Sequence, residues 1–189
     1  MSKEGLTDVN LVFLIGALAS KDGLTRSRAR QALVVLGRPA VPALIRALRD
    51  PKRDQLRWEA AKALGAIRDA RAAPALVRAL EDDDPDVAWL AAEALEQLGQ
   101  AAWPPLLHAL IERGAVSAAL RQGAHHVFRH QREEGFEHLI ALLLKALESE
   151  TVPEMPITAA HRILETLEAQ ARRTTRAAAH AGKAVPGTP

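Results

Sequence analysis

The sequence lacks cysteine, which excludes a disulfide framework, a thiolate nucleophile and a cysteine-based zinc site. Aromatic residues are also scarce, at 3% of the 189 residues, although 48% of the chain is hydrophobic. The apolar content is therefore mostly Ala, Leu, Val and Ile. Ala and Leu are strong helix formers, and small Ala side chains let helices pack closely, so this composition favours a helical protein.

Long hydrophobic runs are missing as well. The longest, from Leu11 to Ala19, is broken by Gly16 and is far too short to span a membrane. Residues 1–10 show neither the basic start nor the small-residue cleavage pattern of a signal peptide. We therefore predict a cytoplasmic protein without a membrane partner, and the richness in Ala and Arg is typical of a bacterial source.

The net charge of +2 is unevenly distributed. Four basic residues and no acidic residue follow Glu168: Arg172, Arg173, Arg176 and Lys183. The rest of the chain therefore carries a slight negative charge, and the overall positive charge does not indicate a nucleic-acid surface on the folded part.

Two short patterns alternate along the chain. The first is an Ala-Leu pair that recurs at a spacing of 31 residues, as Ala32-Leu33, Ala63-Leu64 and Ala94-Leu95. The second is a proline followed by a mostly apolar run, and it recurs at residues 42–48, 74–80 and 104–110. Self-similarity at such a period is the signature of a stacked array of helix pairs.

The apolar residues within each pattern fall at helical spacing, as in the stripe of Ala29, Ala32, Leu33 and Leu36. Neither stripe can be buried by one short helix pair alone, but stacked pairs bury both. We therefore predict an all-α fold, an α-solenoid (α-α superhelix) over residues 11–169. An N-terminal segment (1–10) precedes it, and a disordered basic tail (170–189) follows it.

Turn residues support these helices. Asp50-Pro51 and Asp84-Pro85 are predicted to open the first helix of a pair, since Asp is a good N-cap and Pro suits the first turn. Gly37 and Gly99 follow the last apolar residue of a helix, where a left-handed backbone is expected.

The flanks are predicted to be degenerate copies that cap the stack. Residues 11–18 are typical of a lone second helix. Residues 124–128 and 142–147 are expected to form a weaker fourth pair, with His125 in the slot of Leu95. Residues 160–167 are predicted to form a final first-type helix.

Residues 41–51 (VPALIRALRDP) and 59–65 (EAAKALG) carry a family resemblance. They resemble the HEAT-like repeats first described in phycobilisome lyases, strongly over 26–110 and weakly outside this range. The resemblance implies an array of helix pairs whose second helices line a concave surface. Its members include chromophore lyases, a hydroxylase, DNA glycosylase relatives and many adaptor proteins, so it specifies fold far better than function.

One candidate site is a basic column on the second helices. Arg46, Arg78, His108 and Lys145 are predicted to occupy the same slot of successive second helices. Because packed helices lie about 10 Å apart, the column would present positive charge at that interval, suited to acidic side chains or phosphates. The alternative is an ordinary solvated face.

A second candidate is a tryptophan pair. Trp58 and Trp89 are 31 residues apart and therefore hold equivalent slots, off the main apolar stripe. They could form an exposed binding ridge, since Trp is favoured at interaction hot spots. The alternative, which we favour, is that each covers the junction with the adjacent repeat. Trp103 lies in the turn between helices and is predicted to be core.

Metal sites are weaker candidates. His126 and His130 are spaced i, i+4, and Glu134 would share their face if the helix continued, but a turn is predicted there. The iron site implied by the resemblance to the hydroxylase needs His-Glu pairs, and no His in this chain is followed by Glu. The acidic run Glu81–Asp86 lacks the Gly of a calcium loop, so we expect these acids to cap a helix.

No arrangement of a nucleophile with a base, and no Gly-rich phosphate loop, emerges from the sequence. We therefore predict a non-catalytic protein-interaction scaffold or adaptor without a cofactor, metal or small-molecule substrate. Its expected partner is a protein, with an acidic surface as the best match, rather than a nucleic acid. Two alternatives stay open: a chromophore-lyase-like or other enzyme accessory protein, and weak nucleic-acid binding through the basic column and tail.

Overall fold

The computed structural model describes residues 3–149 and 155–181, and the side chains of residues 10–149 and 155–176. The described part of the chain is helical and contains no strand, which confirms the predicted all-α class. Its helices are α1 (Lys3–Ala17), α2 (Gly23–Leu36), α3 (Val41–Ala47), α4 (Asp54–Ile67), α5 (Ala73–Ala79), α6 (Pro85–Leu98), α7 (Trp103–Arg113), α8 (Ala118–Phe128), α9 (Glu137–Glu148) and α10 (Met155–Ala181). Short 3₁₀ turns lead into α3, α5 and α7: Arg38–Ala40, Ala70–Ala72 and Gly99–Ala102.

The helices stack in two layers. The A layer consists of α2, α4, α6 and α8, each packed against the next, and the B layer begins with α1, α3, α5 and α7, each packed against the A helix that follows it. Gly65 of α4 permits a close approach within the A layer, because a Cβ at this position would lie 3.1 Å from the Cβ of Ala94 on α6. This arrangement is the predicted solenoid.

The two predicted Asp-Pro starts have different outcomes. Helix α6 begins at Pro85, and the carboxylate of Asp84 accepts hydrogen bonds from two backbone N–H groups of the first turn, at 2.9 and 3.2 Å. The prediction for Asp50-Pro51 is wrong, because α4 begins only at Asp54. Asp50 instead accepts hydrogen bonds from two N–H groups of the intervening turn, at 3.1 and 2.9 Å.

Helix ends in the A layer have a positive φ. Gly37 and Gly99 have φ values of 64° and 58°, which confirms the expected left-handed backbone at these positions. The equivalent position at the end of α4 is Arg68, whose φ of 55° is unusual for a residue with a side chain.

The C-terminal helices depart from the regular stack. Helix α10 packs mainly against α7 and α9, so it takes the B-layer place beside α7. The prediction of a final first-type helix is therefore wrong. The stripe that contains Ala160, Ile163 and Leu164 is buried as expected, but an apolar stripe reports only that one face is covered and does not say which layer covers it.

Two predicted boundaries also move. Helix α1 begins at Lys3, inside the predicted N-terminal segment 1–10, and α10 continues to Ala181, inside the predicted disordered tail. Residues 170–181 lack an apolar stripe, but Ala and Arg are strong helix formers that prolong a helix already held by packing. Residues 182–189 lie outside the described part of the chain.

An aromatic cluster closes the core near the C-terminal end. Trp103 is fully buried, as predicted, and its ring centroid lies 5.4 Å from that of Phe128 and 5.3 Å from that of Phe136. The three rings join the start of α7, the end of α8 and the turn before α9. No described group accepts a hydrogen bond from the indole N–H of Trp103.

Candidate protein-binding surfaces

The structure places the predicted basic column partly on the B layer. Arg46 on α3, Arg78 on α5 and His108 on α7 have exposed side chains on successive B helices. Lys145 is exposed on α9, but α10 rather than α9 packs beside α7. The structure thus brings three residues of the column into one row and sets Lys145 apart.

Acidic side chains border the middle of this row. A groove of about 400 Å³ lies between α3 and α5, and Arg49 and Arg78 contribute its basic side chains. Its acidic lining residues are Asp50, Glu81, Asp82 and Asp83. The B-layer surface around Arg78 therefore carries charges of both signs and does not present a purely positive field.

Trp58 and Trp89 occupy equivalent slots but differ in exposure. Trp58 is half-buried against the core, and the Nζ of Lys62 lies 4.4 Å from its ring centroid. Trp89 is 53% exposed, and its ring packs edge-on against the imidazole of His126 on α8, with the centroids 4.4 Å apart. Trp89 thus covers the α6–α8 junction and also presents apolar surface to solvent.

A groove of about 460 Å³ runs beside Trp89 between α6 and α8. We call it the Trp89 groove. Its apolar lining consists of Leu80, Pro85, Ala88, Ala92, Ala119 and Gly123, together with the indole of Trp89. Its polar rim consists of Asp82, Gln122, His125, His126 and Arg129. An apolar groove with a few polar groups is the usual form of a binding site.

The groove opens where an arginine is missing from a repeated slot. Arg26, Arg57 and Arg121 hold one slot of α2, α4 and α8, and each donates hydrogen bonds to carbonyls of the preceding turn, at 2.9 to 3.5 Å. Ala88 takes the same slot in α6. Its methyl group leaves open the space that a guanidinium fills in the other repeats.

Gly123 extends the same opening on the α8 side. A Cβ at this position would lie 2.8 Å from Cδ2 of Leu80, which is closer than real Cβ contacts come. Glycine therefore lets the backbone of α8 approach the side chain of Leu80, and it leaves this part of the groove lined by backbone.

The rim of the groove carries a net positive charge. The carboxylate of Asp82 accepts hydrogen bonds from Nε and Nη2 of Arg57, both at 2.8 Å, so its charge is already matched. This hydrogen bonding raises the pKa of the Arg57 guanidinium. Arg129, on the other side, is exposed and forms no ion pair with any described residue. A ligand with a carboxylate therefore fits this rim better than a cationic ligand.

Comparison with known families now bears on this architecture. Two overlapping segments, residues 11–96 and 54–129, match the model of the HEAT repeats, and together they span more than half of the chain. The chain belongs to the HEAT-repeat family. A comparison with curated proteins gave no match. Among the described helices of this HEAT array, none is both long enough and apolar enough to cross a bilayer.

The fourth HEAT repeat has a different register from the one that the sequence suggested. We expected His125 in the slot of Leu95, but His125 is only half-buried, and the fully buried residue at that slot is Phe128. The buried series Leu120, Ala124 and Phe128 repeats the i, i+4, i+8 spacing found in α6. This series is visible in the sequence, and it would have revealed that Ala88 replaces an arginine.

The predicted histidine pair binds a different carboxylate from the one expected. Nε2 of His126 lies 3.4 Å and Nδ1 of His130 lies 3.0 Å from oxygens of Glu96 on α6, whereas Glu134 is exposed to solvent. Burial lowers the pKa of His126, and the nearby charge of Arg129 acts in the same direction. Among the described side chains of the HEAT array, no three His, Asp or Glu residues form a group that could hold a metal ion.

Proposed function

We propose that this chain is a non-catalytic protein-interaction module that binds an acidic segment of a partner protein in the Trp89 groove. The observation that carries the proposal is the 53% exposed Trp89 at the edge of an open apolar groove. Tryptophan is among the residues most often found to dominate binding energy at protein interfaces. HEAT arrays also offer preformed surfaces, so little ordering entropy opposes binding.

Charge and shape together define the segment that fits. An apolar side chain of the partner would lie over Ala88 and Ala92, against the indole of Trp89. A neighbouring carboxylate would pair with the free guanidinium of Arg129, while Asp82 is already matched by Arg57. The partner segment is therefore expected to combine an apolar anchor with acidic residues.

The chain contains a matched control for Trp89. Trp58 holds the equivalent slot in the preceding repeat, but the Lys62 side chain lies over its ring and no comparable groove lies beside it among the described residues. The experiment selects short peptides from a random displayed library on the immobilised full chain. The affinity of the selected peptides is then measured for the wild type and for the Trp89→Ala and Trp58→Ala variants.

We expect Trp89→Ala to weaken binding about thirtyfold, as loss of a hot spot of ~2 kcal/mol implies. Trp58→Ala should change the affinity by less than about threefold. Selected peptides should also be rich in acidic residues. Equal binding to both variants, or selection of basic peptides, would contradict the proposal.

The basic column offers a second surface, and charge reversal separates it from the groove. The double variant Arg46→Glu with Arg78→Glu changes only exposed side chains of the B layer. We expect it to leave peptide affinity unchanged if the groove binds the partner. A loss of binding in this variant, with retention in Trp89→Ala, would move the site to the basic column.

The two alternatives from the sequence have direct tests of their own. A chromophore-lyase-like role predicts a shift in the visible absorbance of a linear tetrapyrrole when the protein is added. A nucleic-acid role predicts retention of DNA at low salt that weakens steeply as salt is raised. The exposed Arg172, Arg173 and Arg176 on α10 are the residues to delete in that second test.

A further inference from the structure

Helix α2 has one side that no described residue covers. In α4, the side that faces the preceding repeat carries Gln55, Glu59, Lys62 and Ala66, and α2 packs against it. The equivalent side of α2 carries Leu24, Arg28, Gln31 and Val35, and all four are exposed. By the equivalence of the repeats, this is the side on which a further A-layer helix would pack.

The uncovered side of α2 is more apolar than its covered counterparts at both ends. Leu24 is 58% exposed and Val35 is 87% exposed. The same two slots hold Gln55 and Ala66 in α4, and Asp86 and Gln97 in α6. The outer face of a terminal repeat is normally polar, because it meets water. Large aliphatic residues in slots that are polar or small elsewhere therefore mark this face as an interaction surface.

The centre of this face carries an unmatched positive charge. Arg28 holds the slot that Glu59 holds in α4, and Glu59 is bound there by Arg26 and Arg30 of the neighbouring helix. Those two arginines lie on the opposite side of α2 and are already engaged. Arg28 forms no ion pair with any residue that the structure describes.

We propose that this face of α2 docks an amphipathic helix from a partner protein, which carries two acidic residues one turn apart. The α2–α4 junction provides the template, because there an i, i+4 pair of arginines flanks a single glutamate. The same geometry with reversed signs places an i, i+4 pair of acids around Arg28, with apolar residues over Leu24 and Val35. A symmetric contact with a second copy would oppose Arg28 with itself, and like charges disfavour that arrangement.

The test uses a helical peptide built from the chain's own template. It comprises residues 22–37 with Arg26→Glu and Arg30→Glu, and a hydrocarbon staple joins the solvent-facing positions of Ser27 and Gln31. The staple is needed because an isolated helix of this length is marginal in water. The matched control is the same stapled peptide with both arginines retained. Binding of each labelled peptide to the full chain is measured by fluorescence anisotropy.

The charge-reversed peptide should bind at least about tenfold more tightly than the control peptide, since electrostatic complementarity sets the choice of partner. The Arg28→Glu variant of the protein should invert this preference. Val35→Asp should abolish binding, whereas Val116→Asp, at an 86% exposed valine after α7, should not. Trp89→Ala should also leave binding unchanged, so this docking face and the Trp89 groove succeed or fail separately.

Three results would overturn the inference. Equal binding of the two peptides would remove the role of Arg28, and binding that survives Val35→Asp would place the peptide elsewhere. A wild-type dimer in sedimentation that becomes monomeric in Val35→Asp would assign the face to a second copy of the chain instead of a partner helix.

Discussion

The carboxylate of Glu59 accepts a hydrogen bond from Nε of Arg26 at 3.2 Å, and this pair ties α4 to α2 in the interior of the A layer. Arg30 binds the second carboxylate oxygen. Glu59 is 2% exposed, whereas the side chains of the two arginines keep 21% and 22% of their surface in contact with water. The buried acid therefore depends on both partners, while each arginine can be rehydrated.

This dependence predicts the effect of two substitutions at one position. Glu59→Ala should lower the free energy of unfolding by about 2–3 kcal/mol, because it leaves a cavity and two cations without their partner. Glu59→Leu should cost less, since Leu90 fills the equivalent slot of α6. Urea denaturation measures both, with the exposed Lys21→Ala as a control that should change stability little. A smaller cost for Glu59→Ala than for Glu59→Leu would contradict the packing argument.

A second prediction concerns the end of α4. Arg68 has a φ of 55°, where the equivalent positions in the neighbouring repeats are the glycines Gly37 and Gly99. A residue with a Cβ is strained in this region, so Arg68→Gly should raise the free energy of unfolding by about 1 kcal/mol. Arg68→Ala keeps the strain and removes the charge, so it should bring no such gain. Thermal denaturation of the two variants separates the backbone effect from the charge effect.

Much of the A layer could be predicted from the sequence, because each of its helices repeats the same burial at a spacing of 31 residues. Ala63 and Leu64 are fully buried, as their position in the stripe predicts. The placement of α10 could not be predicted in this way. Its stripe contains Ile163 and Leu164, but packing beside α7 depends on contacts between segments far apart in sequence, which periodicity does not encode.

The Trp89 groove was hidden from sequence analysis for a different reason. The tryptophan itself was recognised, but a groove is made by what is absent, here an arginine at Ala88 and a side chain at Gly123. Such an absence is visible only when the repeats are aligned correctly, and the fourth repeat was placed out of register. The exposure of Trp89 relative to Trp58 follows from three-dimensional neighbours, Lys62 in one case and His126 in the other.

A third prediction is a pH dependence of stability centred on His126. Burial lowers its pKa below the ordinary value of 6.5, with Arg129 and His130 acting in the same direction and Glu96 and Glu93 opposing it. The unfolded chain therefore binds this proton more tightly than the folded chain does. Its contribution is complete above the unfolded pKa, and stability should fall as the pH drops through that value.

The measurement for His126 compares urea unfolding of the wild type and of His126→Gln at a series of pH values from about 8 to 5, which brackets the titration of an ordinary histidine. The wild type should lose more stability than the variant over this range. Because His130 is 56% exposed at its side chain, His130→Gln serves as the control and should retain most of the wild-type slope. Parallel curves for the wild type and His126→Gln would rule out His126 as the source.

A fourth prediction restores the missing arginine of the repeat. Ala88→Arg should place a guanidinium in the space that Arg26, Arg57 and Arg121 fill in the other A-layer helices, within reach of carbonyls in the preceding turn. Because Ala88 is only half-buried, the fold should tolerate the longer side chain, with a change in unfolding free energy within about 1 kcal/mol.

The same substitution should close the Trp89 groove without touching the indole. Peptides that bind through the groove should therefore lose about tenfold or more in affinity for Ala88→Arg, while the stapled helix that docks on α2 should bind as before. The matched control is Ala66→Arg, at an exposed site on α4 away from the groove lining. If the selected peptides bind Ala88→Arg as tightly as the wild type, Trp89 acts through its exposed face alone and the groove is not the binding site.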